Sequence, residues 1–182
     1  MVNWFQFFLN YLKDPQGVAA IAPSSRFVAA RVFKHIPSTT KTIVEYGPGN
    51  GAITIPLLDK MPTKCKLIAI EKNSDFVNSL KKITDTRLRV VHGFAQDCRK
   101  YCKKTDIILS ALPFNAFPDK LRHHILAETA KNMGRNSKFI IYLQYTRVLR
   151  NYLPKYFKKI EHEFEWRNIP PAHLFICTKP RV

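Results

Sequence analysis

The chain has 182 residues, about one domain at ~100–200 residues per domain, and 46% of them are apolar, enough for a packed core and too many for a disordered chain. Its formal net charge of +17 argues for a polyanionic partner, either an anionic membrane surface or a nucleic acid. No stretch approaches the ~18 uninterrupted apolar residues of a membrane span, so any membrane contact is expected to be peripheral. The first residues also lack the basic start and continuous apolar run of a secretory signal.

From the beginning of the chain, apolar residues at Trp4, Phe5, Phe8, Leu9, Tyr11 and Leu12 repeat with helical spacing, and Pro15 and Gly17 end the pattern. A second helix starts at Pro23-Ser24-Ser25-Arg26, where Ser24 or Ser25 can cap the free backbone N–H groups, and runs from Phe27 to Ile36. Then the period changes. Strands are expected at Thr42–Tyr46, Lys66–Ile70, Leu88–Val91, Asp106–Ser110 and Lys138–Leu143. Helices are expected after the glycine-rich turn through Met61, from about Ser74 to Lys82 and from Leu121 to Lys131. Two further strands follow near Phe157–Phe164 and His173–Cys177. Alternating strands and helices imply βαβ units and a mostly parallel sheet with helices on both faces. The two closing strands, with no helix between them, imply an antiparallel hairpin at one edge. Four cysteines occur, and only Cys98 and Cys102 are close; their i,i+4 spacing suits neither zinc nor redox chemistry. They read as reduced packing residues, and no metal site is expected.

Glu45-Tyr46-Gly47-Pro48-Gly49-Asn50-Gly51 lies between the first strand and a helix. Glycines there allow a tight turn and close approach of backbone to a ligand. The spacing is Gly-x-Gly-x-Gly, not the dinucleotide fingerprint. It resembles motif I of the Rossmann-like class I methyltransferases, whose loop packs against the methionine part of S-adenosylmethionine. Glu45, Gly47, Gly49, Asn50 and Gly51 are then cofactor residues. Glu71 ends the second strand, where a carboxylate can accept from both ribose hydroxyls. After the third strand come His92-Gly93-Phe94-Ala95-Gln96-Asp97. In the family this loop borders adenine, with Phe94 or Ala95 against the ring and Gln96 or Asp97 near the exocyclic amine. Asp97 is equally suited to cap a helix.

The fourth strand ends in Ser110-Ala111-Leu112-Pro113-Phe114. This is similar to motif IV of amino-group methyltransferases, in the longer form of ribosomal RNA adenine dimethylases and bacterial phospholipid N-methyltransferases. Ser110, Leu112 and Pro113 would aim oxygens at the acceptor nitrogen, and Ser110 would also border the cofactor. The likeness to the phospholipid enzymes extends to Ile21-Ala22-Pro23-Ser24-Ser25-Arg26-Phe27, to Gln144-Tyr145-Thr146 and to Arg167-Asn168-Ile169-Pro170-Pro171-Ala172-His173. Against the RNA enzymes, motif IV has Ser110-Ala111 in place of an Asn-Leu pair, and no extra helical domain follows the sheet.

The resemblance implies one domain, 1–182, with a seven-stranded Rossmann-like core over 37–182 and a membrane-facing or lid segment over 1–36. It implies stepwise methylation of phosphatidylethanolamine towards phosphatidylcholine by S-adenosylmethionine, in the cytoplasm at the inner face of the cell membrane. The aromatic first helix and the basic residues would meet the anionic bilayer. Ser25 would border the cofactor carboxylate, and Arg26 or Arg167 would hold a lipid phosphate. Tyr145, His173 and, less favoured, His92 are the candidate bases; Phe114 and Tyr145 are candidates to hold the cationic product. Two rival functions explain part of the pattern: adenine N6-methylation of RNA or another nucleic acid, and non-catalytic binding of lipid or RNA.

Overall fold

The seven strands expected from residue 42 onward all form, as members of one sheet in the computed structural model, which describes residues 25–102, 105–143, 147–168 and 170–181. The strands are β1 (Thr42–Tyr46), β2 (Lys66–Glu71), β3 (Leu88–His92), β4 (Ile107–Ser110), β5 (Lys138–Leu143), β6 (Phe157–Glu165) and β7 (Ala172–Pro180). Their order is β3-β2-β1-β4-β5-β7-β6. The first five pair in parallel, and β7 runs antiparallel to both of its neighbours. The helix expected over 3–14, Ser24 and the Gln144-Tyr145-Thr146 segment lie outside the described residues.

Successive residues of a central strand point to opposite faces, so β1, β4 and β5 supply two cores at once. Ile43, Leu67, Ile107, Leu109 and Ile140 face α1 (Ser25–Phe33) and α2 (Thr54–Lys60), burying Val28, Ala29, Val32, Leu57 and Leu58. Val44, Tyr46, Ile108, Phe139 and Ile141 face the other way, onto Ile125, Leu126 and Ala130 of α4 (Asp119–Asn132) and Cys98 and Cys102. Between these two helices in sequence, α3 (Ser74–Leu80) lies beside β3 and β2, its N-terminus capped by the Asn73 side chain. All four cysteines are free and buried.

The closing hairpin is folded so that β7, last in the chain, is inserted between β5 and β6. Burial explains the choice. Leu174, Phe175, Ile176 and Cys177 are four consecutive buried residues and need cover on both faces. By contrast β6 carries Lys158, Lys159, Glu161, His162 and Glu163, which suits an edge strand. One helix had no sequence signal: α5 (Arg147–Tyr152) has six residues, too few for a periodic pattern.

The edge is tied back to the body by charge. Glu165, at the end of β6, has a fully buried side chain. It accepts from Arg167 Nε at 2.7 Å, from the Arg167 backbone N–H at 3.1 Å and from Arg31 Nε of α1 at 2.8 Å. Next to it, Glu163 pairs with Arg31 and His35. The Arg167 guanidinium, then that of Arg31, holds the Glu165 carboxyl far below its ordinary value of 4.5. A depressed carboxyl stabilises the fold above its unfolded value, and the contribution fades as pH falls through the folded one. Glu165→Gln is therefore expected to lower the melting temperature by several degrees at neutral pH, with the gap to wild type closing as the pH is taken well below 4.5. Equal melting curves at neutral pH would show the clamp to be idle.

Candidate active site

The strand order reverses at β1, with β2 on one side and β4 on the other, and such a switch point opens a crevice at the carboxyl ends of the strands. Tyr46 ends β1 opposite Ile70 of β2 and Ser110 of β4. The ladder runs on into the turns. Gly47 N–H donates to the Ile70 carbonyl at 2.9 Å, Ala111 N–H to the Tyr46 carbonyl at 3.1 Å, and Gly93 N–H to the Glu71 carbonyl at 2.9 Å. Motifs I and IV are therefore neighbours because their strands are.

Glycine is required in the first of these turns. Gly47, Gly49 and Gly51 have φ of +64°, +57° and +84°, the left-handed region that side chains disfavour. A Cβ on Gly47 would stand 2.9 Å from Leu112 Cδ2, so this glycine lets motif I close on motif IV. Asn50 Oδ1 accepts from Ala52 N–H at 3.2 Å, which places the Asn50 side-chain oxygen inside the loop.

Two carboxylates line the turn. Glu71 Oε2 accepts from Gly49 N–H at 3.1 Å and Oε1 from Asn73 N–H at 2.8 Å. A carboxylate has about four acceptor positions, so ribose hydroxyls can still be received there. Glu45 is fully buried. Its Oε2 accepts from the Thr54 hydroxyl at 2.7 Å, and its Oε1 has no hydrogen-bond partner among the described residues. Burial pushes the Glu45 carboxyl up to about 7, opposed by the Thr54 hydroxyl and reinforced by the charge of Glu71. An orphaned acid beneath a cradle without side chains fits a compact cationic ligand. S-adenosylmethionine, with its sulfonium, ammonium and ribose, fits all three features. In the adenine-side loop, Phe94 is 52% exposed while Ala95 is buried in the core and Gln96 is half-buried. Phe94 is thus the apolar side chain free to meet a ring. Asp97 is not a cap; it lies inside the 3-10 helix Ala95–Lys100, which Phe94 precedes.

On the acceptor side, Pro113 at φ −79° and ψ 67° forms an inverse γ-turn, closed by Phe114 N–H on the Leu112 carbonyl at 2.9 Å. Ser110 is fully buried, and its Oγ accepts from Leu112 N–H at 3.3 Å. It shapes motif IV and does not itself face an incoming amine. Phe114 is also corrected: its ring is wholly buried against Phe117 and cannot take a cation. One residue absent from the sequence reading holds this turn. Arg122, buried on α4, donates to the carbonyls of Phe114 at 2.9 Å and Phe117 at 2.6 Å. A cation on the apolar face of that helix, one turn before Ile125 and Leu126, was the available signal.

The candidate bases separate. His92 sits on β3 with Nε2 on the Lys72 carbonyl at 3.1 Å, three strands from β4, and is ruled out by position. His173 lies on β7, two strands from β4, roughly 10 Å at ~4.8 Å per strand. It hydrogen-bonds His162 at 2.8 Å, and burial, then the charges of His162 and Arg150, keep its pKa below the ordinary value. Tyr145 and the side chain of Ser25 are outside the described residues. Arg26 and Arg167 do converge: their guanidinium carbons lie 4.8 and 4.7 Å from the centroid of the same Phe27 ring, at the β6 edge.

Two outcomes test the pocket. Gly47→Ala is expected to weaken S-adenosylmethionine at least about tenfold by titration calorimetry. Adding Leu112→Ala, which removes the clashing methyl, should restore part of the loss; no recovery would mean that the two motifs do not touch. Ionised Glu45 favours a cationic ligand, so cofactor affinity should rise with pH through about 7. Glu45→Gln should flatten that profile. The variant should also gain stability on wild type as pH rises from 4.5 to above 7, because a raised carboxyl pKa makes ionisation costly in the folded state.

Comparison with known proteins agrees with this geometry. Residues 3–139 match the family model described as ribosomal RNA adenine dimethylase. The chain is 26% identical to an ornithine lipid N-methyltransferase from Singulisphaera acidiphila, covering 97% of this chain and 96% of that protein. It is 29% identical to the ribosomal RNA small subunit methyltransferase A of Pelagibacter ubique over 63% of this chain, which spans 42% of that protein's length. A TehB-like S-adenosylmethionine-dependent methyltransferase from Corynebacterium glutamicum has the same fold, with a TM-score of 0.69 at 17% identity over 93% of this chain and 96% of that one. With its glycine turn, paired acids and motif IV on adjacent strands, the chain belongs to the ribosomal RNA adenine dimethylase family and is an S-adenosylmethionine-dependent methyltransferase.

Proposed function

We propose that this methyltransferase N-methylates the primary amine of a membrane lipid headgroup at the bilayer surface. The observation that carries the reading is the reach of one likeness. The match to an ornithine lipid N-methyltransferase spans 97% of this chain, whereas the match to the RNA-modifying family ends at residue 139, before most of β5 and all of α5, β6 and β7. Ornithine lipid and phosphatidylethanolamine both present a primary amine on a short arm, and either serves the same chemistry. The charge of +17 supports an anionic surface, at ~1 kcal/mol per nearby cation.

The residues divide the work as follows. Gly47, Gly49, Gly51, Glu45, Glu71 and Phe94 hold S-adenosylmethionine, which supplies a methyl group made electrophilic by its sulfonium. The turn Ser110–Phe114 aligns the acceptor lone pair with that methyl, and alignment is most of what such a displacement needs. The Leu112 carbonyl keeps a free lone pair beside the developing positive nitrogen. A lipid ammonium must first lose a proton. His173, neutral and open at this end of the sheet, takes it through water in view of its distance, with Tyr145 the other candidate.

The alternative acceptor is an RNA adenine, favoured by the family that the chain belongs to. Radiolabelled cofactor should be offered in parallel to vesicles of phosphatidylethanolamine, vesicles of ornithine lipid and ribosomal RNA. Label is expected in lipid, separated by thin-layer chromatography; label in RNA alone overturns the reading. His173→Ala and Tyr145→Phe should then be compared. The base loses ~10²–10⁴ in kcat with cofactor affinity unchanged.

A further inference from the structure

Four large apolar side chains stand exposed among the described residues: Ile55, Phe94, Phe164 and Trp166. Phe94 is accounted for by the crevice, since it lies on the adenine-side loop, and Ile55 on α2 lines a surface hollow with Leu58 and Ile83. The other two are neighbours at the end of β6, Phe164 at 45% and Trp166 at 70% exposure. Glu165 between them turns inward to Arg31 and Arg167. The clamp therefore fixes the backbone while leaving Trp166 mostly in water and one side of the Phe164 ring exposed, its centroid 4.7 Å from that of His173. A rigidly presented aromatic pays little ordering entropy when it is buried by a partner.

The register places this turn. Leu143 at the end of β5 and Phe164 on β6 both pair with His173. The β6–β7 turn thus projects from the carboxyl edge of the sheet, the edge that carries the crevice. At its base are Arg26 and Arg167, both exposed and stacked on Phe27. The acids nearby are neutralised: Glu163 pairs with Arg31 and His35, Glu165 with Arg31 and Arg167, and Glu161 with Lys159. Aromatic residues backed by guanidinium groups, with every nearby carboxylate among the described residues paired, match an anionic bilayer surface.

The same distances reassign the arginines. β6 is three strands from β4, roughly 14 Å at ~4.8 Å per strand. In phosphatidylethanolamine only two carbons and one oxygen separate nitrogen from phosphorus. A headgroup with its amine against motif IV keeps its own phosphate near β4, while Arg167 is held at the edge by Glu165.

Resting on the lipid-acceptor reading, we infer that the β6–β7 turn is a membrane-docking tip: Trp166 and Phe164 enter the headgroup boundary of an anionic bilayer, and Arg26 and Arg167 meet the phosphates of lipids around the reacting one. The tip sets the crevice towards the surface from which the acceptor comes.

The chain has two tryptophans, Trp4 and Trp166, so Trp4→Phe makes Trp166 the sole reporter. Vesicles of phosphatidylethanolamine with a minority of phosphatidylglycerol should shift its emission to the blue, and lipids brominated on the acyl chain should quench it. Trp166→Ser, with Phe164 kept because its ring lies 4.7 Å from that of His173, should lower vesicle affinity about tenfold, with cofactor affinity and methylation of a dispersed short-chain amine lipid unchanged. If the protein binds vesicles and methylates their lipid while Trp166 emission stays that of water, the tip is refuted and the lipid acceptor stands. Label transfer to RNA alone, or quenching of Trp166 by RNA and not by vesicles, refutes the tip and the acceptor together.

Discussion

One carboxylate-bearing residue joins the three turns on which the site is built. Glu71 accepts the Gly49 N–H from the turn after β1 and the Asn73 N–H from the turn after β2, and its backbone carbonyl accepts the Gly93 N–H from the turn after β3. Left-handed backbone at Gly47, Gly49 and Gly51 is what brings the first of those N–H groups within reach. The crevice is thus a property of main-chain groups pinned by one side chain. Preorganised dipoles of this kind need no rearrangement when a ligand arrives.

Charge is distributed against the average. A protein of +17 places two acids, Glu45 and Glu71, beneath its glycine turn, and one of them has an interior oxygen with no partner among the described residues. A buried carboxylate of that kind destabilises the fold in exchange for complementarity to a cation. The excess positive charge lies elsewhere on the molecule. The chain therefore holds a cationic cofactor within and presents a cationic surface without, and the two demands do not compete because water and salt screen exposed charges that lie more than about 10 Å apart.

The far edge of the sheet solves a different problem. The insertion of β7 between β5 and β6 buries four consecutive apolar residues and leaves a strand of alternating charges outermost. The Glu165 clamp then fixes α1 to that strand, so Arg26, Phe27 and Arg167 stack where α1 begins. Arg122 does the equivalent for motif IV, holding two carbonyls of a loop that has little secondary structure of its own. In both places a guanidinium group positions an irregular segment that apolar packing alone would leave loose, through carboxylates at the edge and through carbonyls at motif IV.

Sequence alone determined the elements whose signals are local. Strands were legible as apolar runs, helices by their period, and the cofactor turn by glycines whose left-handed φ no other residue adopts cheaply. Glu71 was legible because its place one strand on is fixed by the length of a βαβ unit. Only the tertiary structure decided what depends on neighbours distant in the chain. Ser110 and Phe114 read as acceptor-site residues from the motif, yet burial turned one into a support for Leu112 and the other into core. His92 looked like a candidate base until strand order put β2 and β1 between it and β4. Arg26 and Arg167 are more than a hundred residues apart, and nothing local says that they share one aromatic ring. The physical reason is common to all three: backbone preference and hydrophobic period are written within a few residues, whereas burial, distance and charge partners are set by which strands lie side by side.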